Sequence, residues 1–241
     1  MSVMGSLKRA INKPLSRFNH VVTHEAHVGS MERVVSMLKK HNLSPRTVID
    51  VGVAYGTPWL YEGFPDAHFH LVDPTRESLP HMKALAKAMN ATIHNVALGE
   101  NSGTMEIAMR DTIIHATFLK DVGDPSILNR YQVDVKRFDE LFPEIARPAV
   151  CKIDVEGAEM MVLKGMGTAI NSLDAIVIET SFTSLYEGGP EFGEVVQFMS
   201  ENGLAFYDYG GVNRRPYDDA LHQIDAVFVP KTSPLRVRRW S

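Results

Sequence analysis

Thr47-Val-Ile-Asp-Val-Gly-Val-Ala-Tyr-Gly56 is the stretch that decides the fold. Thr47 to Val51 is a short apolar run rich in β-branched residues and closed by glycine, the pattern of a parallel strand buried on both faces. In an open sheet of such strands, ligands bind at the carboxyl ends, where the connections diverge to opposite faces. Asp50 and Gly52 stand at that end. Gly52 lets the backbone approach a ligand closely, and Gly56 permits tight entry into the next helix. The pattern D-x-G-x-x-x-G lacks the middle glycine of G-x-G-x-x-G, the position at which a pyrophosphate touches the backbone. A nucleoside ligand without phosphate needs no such glycine.

Working outward, Met31, Val34, Val35 and Leu38 fall at helical spacing between Ser30 and Lys40, and this helix should end before Pro45. Downstream, Phe69 to Val72 repeats the strand pattern and ends at Asp73-Pro74. Leu79, Met82, Leu85, Ala86 and Met89 return to helical spacing, and Thr92 to Leu98 reads as a third strand. Asn101-Ser-Gly103 signals a turn, and alternating Met105, Ile107 and Met109 predict a hairpin or edge strand. Asp111 to Arg130 is weakly patterned and reads as a long loop, of the kind that serves as a functional lid. Val150 to Ile153 makes a fourth strand, Met161 to Ala169 a helix and Ala175 to Ile178 a fifth strand. A helical stripe at Phe192, Val195, Val196 and Met199 follows, then strand-like runs at Leu204 to Tyr207 and Ile224 to Val229. This order predicts an α/β, doubly wound Rossmann-like sheet, mostly parallel, with antiparallel last strands. The expected division is an N-terminal helical segment at 1–45, one main domain at 46–230 and a basic tail at 231–241.

The composition agrees with one α/β domain. With 241 residues, 44% hydrophobic and 22% charged, the chain can bury a core without disulfides or metals. Its single cysteine, Cys151, lies in an apolar run and reads as a small buried hydrophobe, as expected in a reducing cytoplasm. The first twenty residues carry Lys8, Arg9, Lys13 and Arg17 but no unbroken apolar stretch, so neither a secretion signal nor a membrane span is expected. A net charge of −4 argues against a nucleic-acid partner. The tail, Arg236-Val-Arg-Arg-Trp240, reads as a solvated terminus.

Asp73, closing the second strand, is placed to accept hydrogen bonds from ribose hydroxyls. S-adenosylmethionine (SAM) and NAD both carry such a ribose, so the glycine loop by itself leaves a nicotinamide-dependent oxidoreductase open. A second motif narrows the choice. Lys152-Ile-Asp-Val-Glu-Gly-Ala-Glu159, with Val162-Leu-Lys-Gly165, resembles the signature of the FkbM family of SAM-dependent O-methyltransferases. The glycine loop, Asp73-Pro74, Asn95-Val-Ala-Leu-Gly99, Ile178-Glu179, Gln223-Ile-Asp225 and Val227-Phe-Val229 follow in the family's order, so the resemblance runs from about Thr47 to Val229. It departs at Val53 and Ala54, where the family usually has alanine and asparagine, which removes one polar contact near the cofactor.

The resemblance implies methyl transfer to a hydroxyl of a sugar, glycolipid or polysaccharide, or of a macrolide-type product. Asp50, Gly52, Tyr55, Gly56, Asp73, Asn95, Val96 and Ala97 are the expected SAM-binding residues. Transfer is an in-line displacement that needs alignment and a base for the hydroxyl proton. Glu156 is the expected base or acceptor-orienting residue, with Asp154 beside the SAM methionyl group or the acceptor and Glu179 ending the neighbouring strand. Asp154 or Glu156 could instead cap the helix starting near Ala158. The three acids could also hold Mg²⁺ against vicinal hydroxyls. His115 in the weakly patterned loop is a second candidate base, whereas His24 and His27 lack a third metal ligand. A homodimer and a non-catalytic nucleoside-binding module stay open.

Overall fold

The computed structural model describes residues 11–15, 29–110, 112–113, 116–119 and 127–237. Helix α1 (Met31–Lys40) starts at Ser30, whose hydroxyl accepts the Arg33 N–H at 3.2 Å. Glu32 in its first turn and Lys39 and Lys40 in its last complement the helix dipole. Its stripe of Met31, Val34, Val35 and Leu38 is buried.

A seven-stranded sheet forms the centre, in the order β3-β2-β1-β7-β8-β10-β9. Strands β1 (Thr47–Val51), β2 (His68–Val72), β3 (Ala91–His94), β7 (Ala149–Ile153) and β8 (Ala175–Ser181) are mutually parallel. β10 (Leu221–Pro230) is antiparallel to β8 and to β9 (Leu204–Arg214), so the reversal falls at the end of the chain, as expected. From β1 the chain moves outward to β2 and β3, then crosses back to β7 on the other side of β1. This crossing is a topological switch point, and it sets Asp50 beside Lys152 in register.

Alternate side chains feed two cores. Ile49, Cys151, Ile176, Ile178 and Phe228 face one side, under α5 (Glu159–Gly165) and α6 (Phe192–Glu201). Val48, Phe69, Val150, Val177 and Val227 face the other, under α1, α2 (Pro58–Gly63) and α3 (Leu79–Ala88). Cys151 is fully buried in the first core, and burial pushes its thiol up, so it behaves as a hydrophobe. No helix among the described residues is long and apolar enough to cross a membrane.

The third strand is where the structure departs most from the sequence reading. It ends at His94. Asn95 then turns the chain out of the sheet, its side-chain amide donating to the carbonyls of Asp73 and Thr75 at 2.8 and 3.1 Å. Ala97–Leu98 becomes β4 of a separate three-stranded sheet, ordered β4-β6-β5. β5 (Gly103–Met109) is the strand expected from its alternation, but its antiparallel partner is β6 (Asn129–Lys136), far along the chain rather than across a tight turn. Its apolar side, Ile107, Val133 and Val135, packs with Ala97 as a small third core. α4 (Phe138–Leu141) follows. The helix expected at Met161 to Ala169 starts earlier, at Glu159, and stops at Gly165. A 3₁₀ turn, Gly167–Ser172, replaces its end, with Gly167 in the left-handed region at φ 48°.

The family-like Gly165 has a packing reason. A Cβ there would stand 2.1 Å from the Gly99 carbonyl oxygen, so α5 crosses the small sheet backbone to backbone. Gly165→Ala should destabilise the fold by about 1–3 kcal/mol through overpacking, read as a lower midpoint in urea unfolding.

On the adjoining strands β2 and β3, His70 Nδ1 and His94 Nε2 lie 3.0 Å apart, with both rings against Phe142. Burial, then the neighbouring His94, pulls His70 down to about 4, and burial lowers His94 as well. Both folded values lie below the unfolded ones, so the unfolded chain takes up more protons as acidity rises. This part of the stability is present above the ordinary histidine range and is lost as pH falls from about 6.5 toward 4. Thermal melts of His70→Phe should show a shallower loss across that window than the native chain; parallel curves would exclude this origin.

Candidate active site

A cavity of about 270 Å³ opens at the carboxyl ends of β1, β2, β7 and β8. Val51 and Gly52 come from the end of β1, Val72 and Asp73 from β2, and Val96, Ala97 and Leu98 from the chain leaving the main sheet. Ile113, Ala116 and Phe118, from the loop between β5 and β6, cover one side, and Asp154, Glu156 and Glu179 edge another. Of the expected site residues, Gly52, Asp73, Val96, Ala97, Asp154, Glu156 and Glu179 therefore meet at one cavity. Asp50, Tyr55, Gly56 and Asn95 do not line it. Tyr55 is 55% exposed and makes an edge contact with His81, and Asn95 braces the backbone of Asp73 from behind. His115, His24 and His27 lie outside the described residues.

Asp50 works beneath the cavity. Its Oδ2 accepts the Tyr61 hydroxyl at 2.5 Å, and its Oδ1 lies 3.4 Å from Lys152 Nζ. Lys152 also reaches Asp154 at 3.3 Å and donates to the Gly52 carbonyl at 2.7 Å. One buried ammonium thus ties the glycine loop to the second motif. Burial alone would pull Lys152 down, but the carboxylates of Asp154 and Asp50 outweigh it and raise it. Gly52 sits at φ 82°, and a Cβ would stand 1.7 Å from the Asp154 carbonyl oxygen, so only glycine fits this crossing. Tyr61 was not legible as a site residue, because it occupies an ordinary place in a short helix.

Asp73 is held by its neighbours at the cavity wall. Its Oδ1 accepts from the Thr75 N–H, the Thr75 hydroxyl and the Ser78 hydroxyl at 2.9, 2.7 and 2.6 Å. Its Oδ2 has the Ala54 N–H at 2.9 Å as its protein donor. Ala54 holds the left-handed region at φ 46°, where asparagine is tolerated better than alanine. The Ala54 departure from the usual family pattern therefore adds backbone strain as well as deleting an amide.

Glu156 also lies in the left-handed region, at φ 51°, followed by Gly157 at φ 92°. Non-glycine residues held this way cluster at functional sites, where the surroundings over-determine them. Here the Tyr186 hydroxyl donates to Glu156 Oε2 at 2.7 Å, and the Thr117 hydroxyl donates to the Glu156 carbonyl at 2.7 Å. Neither residue carried a sequence signal, since each comes from a segment without periodicity. Neither Asp154 nor Glu156 caps α5: its N-cap is Ala158, without a side-chain bond, and the first-turn acid is Glu159. Glu179 lies inside β8, which runs on to Ser181, rather than at its end.

A family model described as Methyltransferase FkbM domain matches residues 50–206, well over half of the chain. The chain belongs to the FkbM methyltransferase family. Its fold is similar to that of the FkbM methyltransferase of Methylobacillus flagellatus KT, with 16% identity, a TM-score of 0.50 and coverage of 77% of this chain and 44% of that one. It also resembles magnesium protoporphyrin IX methyltransferase of Synechocystis PCC 6803, solved with bound SAM, at 13% identity, TM-score 0.44 and coverage of 83% and 77%. A third likeness is to the Burkholderia thailandensis 1,6-didemethyltoxoflavin-N1-methyltransferase, with bound S-adenosylhomocysteine, at 12% identity, TM-score 0.45 and coverage of 94% and 88%. At 16% identity the first of these likenesses speaks for the fold alone. No curated protein matches the sequence.

In this FkbM domain, acids crowd one end of the cavity. Burial, then the charges of Asp154 and Glu156, pushes Glu179 well above the ordinary carboxylate range. Burial also lifts Glu159 to about 7, where its carboxyl group accepts the Gly157 N–H at 3.0 Å. Asp225, directly opposite Glu179 on β10, is raised to about 6 by burial and Asp154, with Lys152 opposing. Lys152 carries the compensating charge. Lys152→Met leaves Asp50 buried beside no cation and should cost about 3–5 kcal/mol, whereas adding Asp50→Asn to it should recover much of that loss in urea unfolding. Equal stability of Lys152→Met and the native chain would show that the ion pair is not structural.

Proposed function

We propose that this FkbM domain is a SAM-dependent O-methyltransferase acting on a hydroxyl of a saccharide, as a glycan, glycoside or glycolipid. The observation that carries the reading is the Glu156 carboxylate, fixed by Tyr186 and by a strained backbone at the acidic end of a nucleoside-sized cavity. The cavity fits SAM in its chemistry. Val72, Val96, Leu98 and Phe118 offer apolar walls for a base, and Asp73 Oδ2, with one protein donor, has acceptor capacity left for a ribose hydroxyl. Gly52, Val96 and Ala97 approach from the backbone side. Asp50 lies beneath them in β1, and Tyr55, Gly56 and Asn95 belong to the loops that present them. Asp154 and its neighbours suit the positive end of the cofactor.

When bound, SAM would supply an electrophilic methyl group whose carbon–sulfur bond breaks on transfer, with S-adenosylhomocysteine as the leaving group. Glu156 takes the proton of the attacking hydroxyl as the new oxygen–carbon bond forms, and later returns it to solvent. Glu179, holding its proton, donates a hydrogen bond that orients the acceptor. The segment carrying Ile113, Ala116 and Phe118 shields the cavity from water. Calorimetry should show binding of SAM and S-adenosylhomocysteine and none of NAD(H); the reverse result would replace this reading with an oxidoreductase. Glu156→Ala should keep SAM affinity and lower kcat by at least about 100-fold. Asp73→Ala should instead weaken SAM binding.

A second reading rests on one observation. Asp154, Glu156 and Glu179 offer carboxylate oxygens that all lie within 4.8 Å of one another. Such a set of oxygen donors suits Mg²⁺, which would orient and acidify vicinal hydroxyls. Turnover abolished by a chelator and restored by Mg²⁺ would favour it, and turnover unaffected by chelation would exclude it.

A further inference from the structure

Glu179 belongs to two spaces. On one side it edges the methyl-transfer cavity, and on the other a shallow groove of about 250 Å³ runs over β8, β10 and β9. The groove holds Asn213, Gln223 and Asp225, with Gly211 and Val212 beside them. These polar residues share a face because of sheet register. Asp225 pairs with Glu179, and Gln223 pairs with Asn213. Their side chains form a hydrogen-bonded row: the Asn213 amide donates to Gln223 Oε1 at 3.4 Å, and the Gln223 amide donates to Glu179 Oε2 at 3.3 Å.

Two irregularities in the β9–β10 pairing build this row. The register shifts between Leu221 and Gln223, and again between Ile224 and Asp225. At the second shift Gly211 is the extra residue, at φ 38°, and a Cβ on it would stand 2.0 Å from Asp225 Oδ2. A bulge of this kind re-aims side chains next to active sites. Here it opens room for a carboxylate on what would otherwise be a plain edge hairpin.

We propose that this groove is a second acceptor subsite, one that takes the neutral sugar unit next to the one being methylated. The proposal rests on the saccharide reading above. Each amide offers both donors and an acceptor, and each carboxylate offers acceptors, the complement of adjacent hydroxyls that both donate and accept. Glu179 joins the two spaces, so a ligand seated in the groove extends to the hydroxyl facing Glu156. Glu156, Asp154 and Asp225 make this path repulsive to uronates and phosphorylated sugars.

The test is S-adenosylhomocysteine release by the full chain with maltose, cellobiose and lactose, their methyl monoglycosides, and glucuronic acid. The disaccharides should show the lower KM, and glucuronic acid the poorest turnover. Asn213 is exposed, so its replacement spares the core. Asn213→Ala should raise the disaccharide KM by about tenfold with kcat within about twofold. Asn213→Trp, which fills the groove, should erase the preference for disaccharides while methyl monoglycosides still react. S-adenosylhomocysteine affinity should not move in either variant. Equal KM values for mono- and disaccharides, or a disaccharide KM unmoved by both variants, would overturn the subsite and leave the methyltransferase reading standing. S-adenosylhomocysteine binding without methylation of any of these sugars would remove the saccharide reading and the subsite together. Loss of S-adenosylhomocysteine affinity in Asn213→Ala would assign the groove to the cofactor and overturn the proposal.

Discussion

The site depends on one buried ammonium. Lys152 touches the Gly52 carbonyl, Asp50 and Asp154, and so connects the loop after β1 to the loop after β7 at the point where the chain reverses its winding. Without a cation there, Asp50 would be an uncompensated charge with no exposed surface, which proteins avoid. With it, two glycine-bearing turns are held so close that Gly52 has no room for a side chain. The cavity exists because those turns are pinned together. The same cation also moderates Asp225, two strands farther along the sheet.

Around that centre the fold holds its reactive groups in strained or crowded states. Ala54 and Glu156 occupy left-handed backbone at a cost on the order of 1 kcal/mol each, and both present groups to the cavity region: an N–H to Asp73 in one case and a carboxylate in the other. Burial first, then the charges of Asp154 and Glu156, raises Glu159 and Glu179. A set of carboxyl groups whose environments drive them apart can divide the duties of proton acceptor and hydrogen-bond donor. Glu179 lies within a strand rather than on a loop, which holds it in rigid structure.

Much of the fold was legible in single residues. Thr47 to Val51 announced itself by β-branched composition, and α1 by its spacing, because both depend on local pattern. The small sheet was not. β4 contains two residues, and the alternation of Tyr131, Val133 and Val135 in β6 lies among charged neighbours after a long unpatterned loop. The split of the third strand hinges on the hydrogen bonds of Asn95 to Asp73 and Thr75, which no periodicity reveals.

By itself, the sequence determined the winding of the sheet, the family and the cluster of Asp154, Glu156 and Glu179, because strand runs, glycine turns and a long motif are properties of neighbouring residues. Only the tertiary structure decided what each polar group does. It turned Asp50 from a ligand contact into the counter-charge of Lys152 and left Tyr55 in solvent. It recruited Tyr61, Tyr186 and Thr117 from unmarked positions, and carried the acidic row on to Asp225. These roles arise between strands and loops far apart in the chain, where burial and distance set charge and hydrogen bonding, and neither is written in local spacing.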